Sequence, residues 1–110
     1  MIRPALLLAL GGLALATAAI GVNAQVRQRS APEIYAASCA YCHDAGGWGT
    51  RRLAARMPAG EAELLKRKDL PPAFTQLVVR RGIGPMPPLT PTDVTDEELD
   101  RLARWLEANN

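Results

Sequence analysis

Cys39-Ala-Tyr-Cys42-His43 constrains this chain more than any other segment. Two cysteines two residues apart, followed at once by a histidine, form the pattern through which a c-type haem is attached. On a helical turn, positions i, i+3 and i+4 are surface neighbours. Residues 39, 42 and 43 therefore share a face. Two thiols are set to bond one edge of a porphyrin, and an imidazole is set to reach its iron. The chain has two cysteines and one histidine in 110 residues, and all three lie in this pentapeptide.

Other chemistries use the same residue types and fit less well. A disulfide between Cys39 and Cys42 closes a tight, strained loop. A thioredoxin-like redox pair needs a βαβ setting, and no strand pattern surrounds the motif. A structural zinc site needs four ligands, whereas Cys39, Cys42 and His43 supply three and no other Cys or His exists. The haem reading in turn predicts two further features: export and a second iron ligand.

Export is written at the start. Met1-Ile-Arg3-Pro carries one positive charge, residues 5–20 are uncharged, and Val22-Asn23-Ala24 is a small-residue cleavage pattern. Residues 1–24 are therefore expected to be a signal peptide, with Gln25 as the new N-terminus and a periplasmic destination. A retained membrane anchor is the alternative, but the apolar run is shorter than the ~20 residues that spanning takes.

The second ligand is sought in Gly82-Ile-Gly-Pro-Met86-Pro-Pro88, where Met86 lies 43 residues after His43. A thioether opposite a histidine is the ligand pair of electron-transfer cytochromes c and raises the haem potential. The glycines and prolines argue for an irregular loop rather than a helix. A methionine here could also be a packing residue. Met57, 14 residues past His43 and followed by Pro58, is the competing ligand. Ligation by two histidines of one chain is excluded.

With these residues in hand, the chain resembles the small class I (mitochondrial-type) bacterial cytochromes c over about residues 34–107. Four features carry the resemblance: Tyr35 four residues before Cys39, the CxxCH, the Gly-x-x-Met-Pro-like loop ending at Pro87, and an amphipathic C-terminal helix bearing Trp105. The resemblance implies an all-α fold of three to four helices around one covalently bound haem c. Cys39 and Cys42 would hold it, and His43 and Met86 would ligate its iron. One departure is Ala31, which stands where the family usually has glycine at the crossing of the N- and C-terminal helices. More narrowly, Met86-Pro-Pro and Asp93-Val-Thr-Asp96 look like the cytochrome subunits that serve flavoprotein or quinoprotein dehydrogenases. That implies a dehydrogenase with a flavin or quinone cofactor as redox partner.

Local patterns agree with an all-α domain over residues 31–110. Ser30-Ala-Pro-Glu33 is a capping box with Pro near the helix start, which predicts a helix over 31–40. Residues 44–50 read as a glycine-rich turn, and residues 60–68 as a short helix through Leu64 and Leu65. Residues 71–81 read as a helix, with prolines in the first turn, basic residues in the last and Gly82 after it. Thr95 and Glu98 form a second capping box, opening a helix to about residue 108 with Leu99, Leu102, Ala103 and Leu106 on one face. Residues 25–30 read as a flexible polar leader. A mature chain of about 86 residues buries a limited share of its surface, so a porphyrin is expected to complete the core.

Charge is nearly balanced, at +2 overall, but residues 51–81 hold eight basic residues against Glu61, Glu63 and Asp69. These predict a basic docking face for an acidic redox partner. Arg51, Arg52 and the Trp48 indole are candidates to meet a haem propionate. Nucleic-acid binding is excluded by the short clusters and the compartment. Two functions remain. One is a carrier of single electrons. The other is a haem protein with an open distal site, acting as a small-ligand sensor or a peroxidase-like enzyme. The second needs a vacant sixth position, which Met86 is set to block.

Overall fold

The computed structural model describes residues 28–58 and 60–109, and the expected signal peptide lies outside them. The described chain is helical: α1 (Ala31–Ser38), α2 (Ala40–His43), α3 (Trp48–Ala54), a 3-10 turn (Leu64–Lys66), α4 (Pro72–Arg81) and α5 (Asp96–Ala108). No strand forms among the described residues; Ile83 and Met86 make one isolated antiparallel bridge.

Helix starts follow the sequence closely. The Ser30 backbone N–H and hydroxyl both donate to Glu33 Oε2 at 2.7 Å, opening α1. At α5 the Glu98 N–H donates to Thr95 Oγ1 at 3.2 Å, and the Thr95 N–H returns a bond to Glu98 Oε2 at 3.1 Å. Two orphan donors are satisfied at each box. The acidic first turn of α5, Asp96 to Glu98, meets the positive end of the helix dipole.

Three expectations are corrected. The helix expected over 31–40 is broken at Cys39, where φ is −124°. Its ladder nevertheless continues, because the Cys39 carbonyl accepts from both Cys42 N (3.1 Å) and His43 N (3.0 Å). α1 and α2 are thus one helix re-aimed at the first cysteine, so the described chain has four helices. Second, the turn expected over 44–50 ends at Gly47. Trp48 already begins α3, because the Arg, Leu and Ala that follow are good helix formers. Third, the helix expected over 60–68 shrinks to the Leu64–Lys66 turn. Leu64 packs on the core, Leu65 is exposed, and no longer apolar stripe exists to bind a helix.

The core is Ile34, Tyr35, Leu70, Val79, Val94, Leu99, Leu102 and Leu106. α5 packs against both α1 and α4. Its predicted stripe of Leu99, Leu102, Ala103 and Leu106 is buried, each leucine contributing ~1.5–3 kcal/mol. At the α1–α5 crossing, the Tyr35 and Trp105 rings lie 5.7 Å apart at 55°, a tilted pairing that favours the ring edge over the face. Ala31 is only 5% exposed, so its methyl is accommodated on the buried face of α1.

Residues 28–30, the end of the expected flexible leader, are tied to α5. The Arg29 guanidinium forks onto Glu98, at 2.7 Å to Oε1 and 2.6 Å to Oε2, and reaches Asp93 O at 3.2 Å. In return Arg101 donates to Arg29 O and, at 2.9 Å, to Gln28 Oε1. Polar composition hid this, because the partners lie about seventy residues away.

Candidate functional site

Two segments remote in sequence enclose a partly open cavity of about 280 Å³. The first, from α2 and α3, contributes Cys42, His43, Trp48, Gly49 and Leu53, with Arg52 and Arg56. The second is the loop after α4, contributing Ile83 to Pro87. The cavity thereby brings together three of the four expected site residues: Cys42, His43 and Met86. Cys39 is not on its lining; it sits half-buried against the hydrophobic core at the point where α1 is re-aimed. Met57, the competing methionine, is half-buried and also absent from the lining.

The re-aimed helix explains this placement. Residues 35, 39 and 42 would form one stripe on a straight helix. The break at Cys39 leaves Ile34 and Tyr35 in the core while Cys42 and His43 turn to the cavity. A hydrogen bond from the Tyr35 hydroxyl to Asp44 Oδ1, at 2.7 Å, ties the residue after His43 back to α1. Burial and that bond push the tyrosine hydroxyl well above its usual range.

His43 is the polar centre of the cavity. Its Nδ1 is buried with no hydrogen-bond partner. Burial lowers its pKa, the nearby Arg67 cation lowers it further, and Asp44 opposes both. The imidazole is therefore held neutral, the state in which a ring nitrogen can ligate a metal. Cys39 and Cys42 are not joined to each other by a disulfide. Burial, then the neighbouring Cys42, pushes Cys39 up to about 11.

Gly49 lets α3 close over this turn. A Cβ there would stand 2.9 Å from the Cys42 carbonyl oxygen and 3.3 Å from His43 Cε1. The sequence marked Gly49 as a turn residue, whereas it is a helical residue that must lack a side chain.

The methionine loop is held just as closely. Ile83 and Met86 exchange backbone hydrogen bonds at 3.1 and 3.0 Å, and Leu89 N–H donates to Val79 O at 2.8 Å. Gly82 leaves α4 at φ +70°, and a Cβ there would lie 2.5 Å from the Met86 carbonyl oxygen. Met86 also packs on the core.

The basic run proves divided. Arg67 pairs with Asp69 at 2.8 Å and Lys66 with Glu63 at 2.8 Å. Arg51 turns to the Gly46 carbonyl at 2.5 Å. Arg80, expected on the docking face, points inward to Leu89 O, Val94 O and Asp96. Arg52, Arg56, Lys68 and Arg81 make no ion pair among the described residues. Of these, Arg52 lies 5.6 Å over the Trp48 ring, and both it and Arg56 line the cavity. The place of Arg56 on the cavity lining and the inward turn of Arg80 escaped sequence reasoning, which puts both on the docking face, because charge clusters do not reveal which member faces inward.

The site suits a haem. Leu53, Ile83 and the loop prolines match the apolar faces of a porphyrin. The neutral imidazole and the Met86 thioether are ligand types that iron accepts. Arg52 and Arg56 are the cations available to carboxylates. A comparison with protein families matches residues 26–106 to the family described as cytochrome C oxidase, cbb3-type, subunit III. Comparisons with curated proteins and with solved structures give no match. The matched span runs from before α1 to the last turn of α5 and so takes in the whole cavity. The chain belongs to this family of c-type cytochrome domains, and is an electron-transfer haem protein that binds haem c covalently.

Proposed function

We propose that the chain is a periplasmic carrier of single electrons. Cys39 and Cys42 would tether the haem, and His43 and Met86 would ligate its iron. The donor is a dehydrogenase with a flavin or quinone cofactor. The observation that carries this reading is the meeting of His43 and Met86, 43 residues apart in sequence, on the lining of one apolar cavity.

Bound haem supplies an iron that alternates between ferric and ferrous states, and a His/Met pair raises its potential. The protein's own residues do the rest. The neutral His43 and the Met86 thioether would both hold the iron, which would keep small ligands out and suit carriage rather than ligand sensing or peroxide chemistry. Leu53, Ile83, Pro85 and Pro87 supply apolar walls for the porphyrin. The leader at residues 1–24 supports export, and the Met-Pro-Pro loop with Asp93-Val-Thr-Asp96 supports a dehydrogenase as donor.

Mass spectrometry of the exported protein should give the chain from Gln25 plus one haem. The ferric protein should show the weak near-infrared sulfur-to-iron band. Met86→Ala should remove that band, lower the potential and open the reduced iron to carbon monoxide, while Met57→Ala leaves all three unchanged. If the two substitutions exchange effects, Met57 rather than Met86 is the ligand and the His43/Met86 reading falls. If wild-type protein binds carbon monoxide freely, the open-site reading replaces this one.

A further inference from the structure

The loop carrying Met86 has few backbone bonds with which to hold itself. Pro85, Pro87, Pro88 and Pro91 have no N–H to give. The Ile83–Met86 exchange is internal to the loop and fixes its shape, not its position. Beyond Gly82, the one backbone bond among the described residues from residues 83–89 to a helix is Leu89 N–H to Val79 O, at 2.8 Å.

Arg80 supplies what the prolines cannot. Its guanidinium donates through Nη1 to Leu89 O at 3.1 Å, and through Nη2 to Val94 O at 2.8 Å and Asp96 Oδ1 at 2.7 Å. One side chain thus joins the end of α4 to the far end of the methionine loop and to the start of α5. Leu89 is gripped twice, by Val79 through its N–H and by Arg80 through its carbonyl. Met86 is suspended between that grip and Gly82, whose lack of a side chain lets the Met86 carbonyl approach. Only 24% of the Arg80 side chain is exposed, so these bonds are partly shielded from water. A guanidinium presents five donors in a rigid fork, whereas a lysine ammonium is a point charge on a flexible stem.

We propose that Arg80 is the positioning residue that keeps Met86 on the iron, setting how readily the sixth ligand lets go. This rests on the His43/Met86 reading. Arg80 is not on the cavity lining and, among the described residues, makes no hydrogen bond to Met86; it acts through Leu89 and the start of α5. A general tie between α4 and α5 would instead stabilise the whole domain and leave the relation between Met86 loss and unfolding unchanged.

The test compares haem-loaded wild type with Arg80→Gln, Arg80→Lys and Asp96→Asn, and uses Met86→Ala as the reference for a lost ligand. Urea titrations follow the near-infrared sulfur-to-iron band and the far-ultraviolet helix signal in the same samples. Binding of imidazole to the ferric protein is measured in parallel. Arg80→Gln should lose the band at a urea concentration clearly below that of helix loss. Its imidazole affinity should rise about tenfold or more, the scale of losing a hydrogen bond to a charged group. Arg80→Lys should fall between Arg80→Gln and wild type, and Asp96→Asn should show the smallest effect. If Arg80→Gln fails to fold, the lysine and asparagine variants decide by the same comparison. Band and helix signal falling together, with imidazole affinity unchanged, would overturn the proposal while leaving the ligation intact. A band that survives Met86→Ala would overturn the ligation and the proposal with it.

Discussion

At the residue scale, the site depends on atoms that are absent as much as on those present. Gly49 and Gly82 each stand where a methyl group would collide with a carbonyl oxygen of a site residue, Cys42 and Met86 respectively. Gly82 carries the additional demand of φ +70°, which L side chains rarely adopt. Gly82→Ala should therefore cost ~1–3 kcal/mol, the range for strained backbone positions, and should weaken the near-infrared band by displacing Met86. Urea midpoints and the band, measured together, check this. A variant with wild-type values for both would mean that the loop departs from α4 along another path. His43 makes the complementary point. A buried ring nitrogen without a partner costs ~1–3 kcal/mol, and such groups are kept where a ligand uses the ring.

At the element scale, the break between α1 and α2 is the decisive feature. One helix serves two surfaces because it changes direction at Cys39: the Tyr35 face packs on α5, and the Cys42–His43 face meets the cavity. The start of α5 is a second junction, where Thr95, Glu98 and Arg29 converge. The Glu98 carboxyl is pushed down to about 2, chiefly by the Arg29 hydrogen bond and then by the Thr95 N–H. A depressed carboxylate contributes stability above its ordinary pKa and loses it as pH falls through the folded value. The stability gap between wild type and Arg29→Gln should accordingly be full near neutral pH and shrink between about pH 4.5 and about 2. Chemical denaturation of the haem-loaded pair across that range reads the gap. A gap that stays constant would mean that Arg29 acts through packing or through Asp93 alone.

At the scale of the whole molecule, exposed apolar Ile83 and two cations without an ion pair among the described residues, Arg52 and Arg56, line the same cavity. Ile83 on the cavity lining is 59% exposed, and Tyr41, inside the CxxCH, is 93% exposed. Arg52 and Arg56 line the cavity, and Arg81 ends the helix that leads into the Met86 loop. Small interfaces of this kind suit weak redox encounters. If these charges steer an acidic partner, the second-order rate of electron transfer should fall steeply with salt, since exposed charges are screened beyond about 8 Å at physiological ionic strength. Arg81→Glu should slow association with no change in the absorption spectrum. Stopped-flow rates against ionic strength measure both effects. A rate indifferent to salt and to Arg81→Glu would mean apolar docking or a permanently bound subunit. Arg80 is not a fair probe of docking, because its charge is spent inside the fold.

Much of this protein was legible in one dimension. The CxxCH, both capping boxes, the stripe on α5 and the proline-rich loop are patterns of neighbouring residues, and hydrogen bonding and helical periodicity act over neighbours. They were sufficient for the all-α class and for the covalent haem chemistry. What the tertiary structure alone decided was which groups face inward. The re-aiming at Cys39 follows from two surfaces competing for one helix. Residue 49 must be glycine because α3 passes close to the Cys42 carbonyl. Arg80 is half-buried and turned back on the fold because its acceptors, Leu89, Val94 and Asp96, come from a segment folded back along α4. Arg29 is anchored by Glu98, 69 residues away. A charged side chain reads alike in sequence whether it faces water or a carboxylate. Its partner is chosen only when the chain has closed on itself.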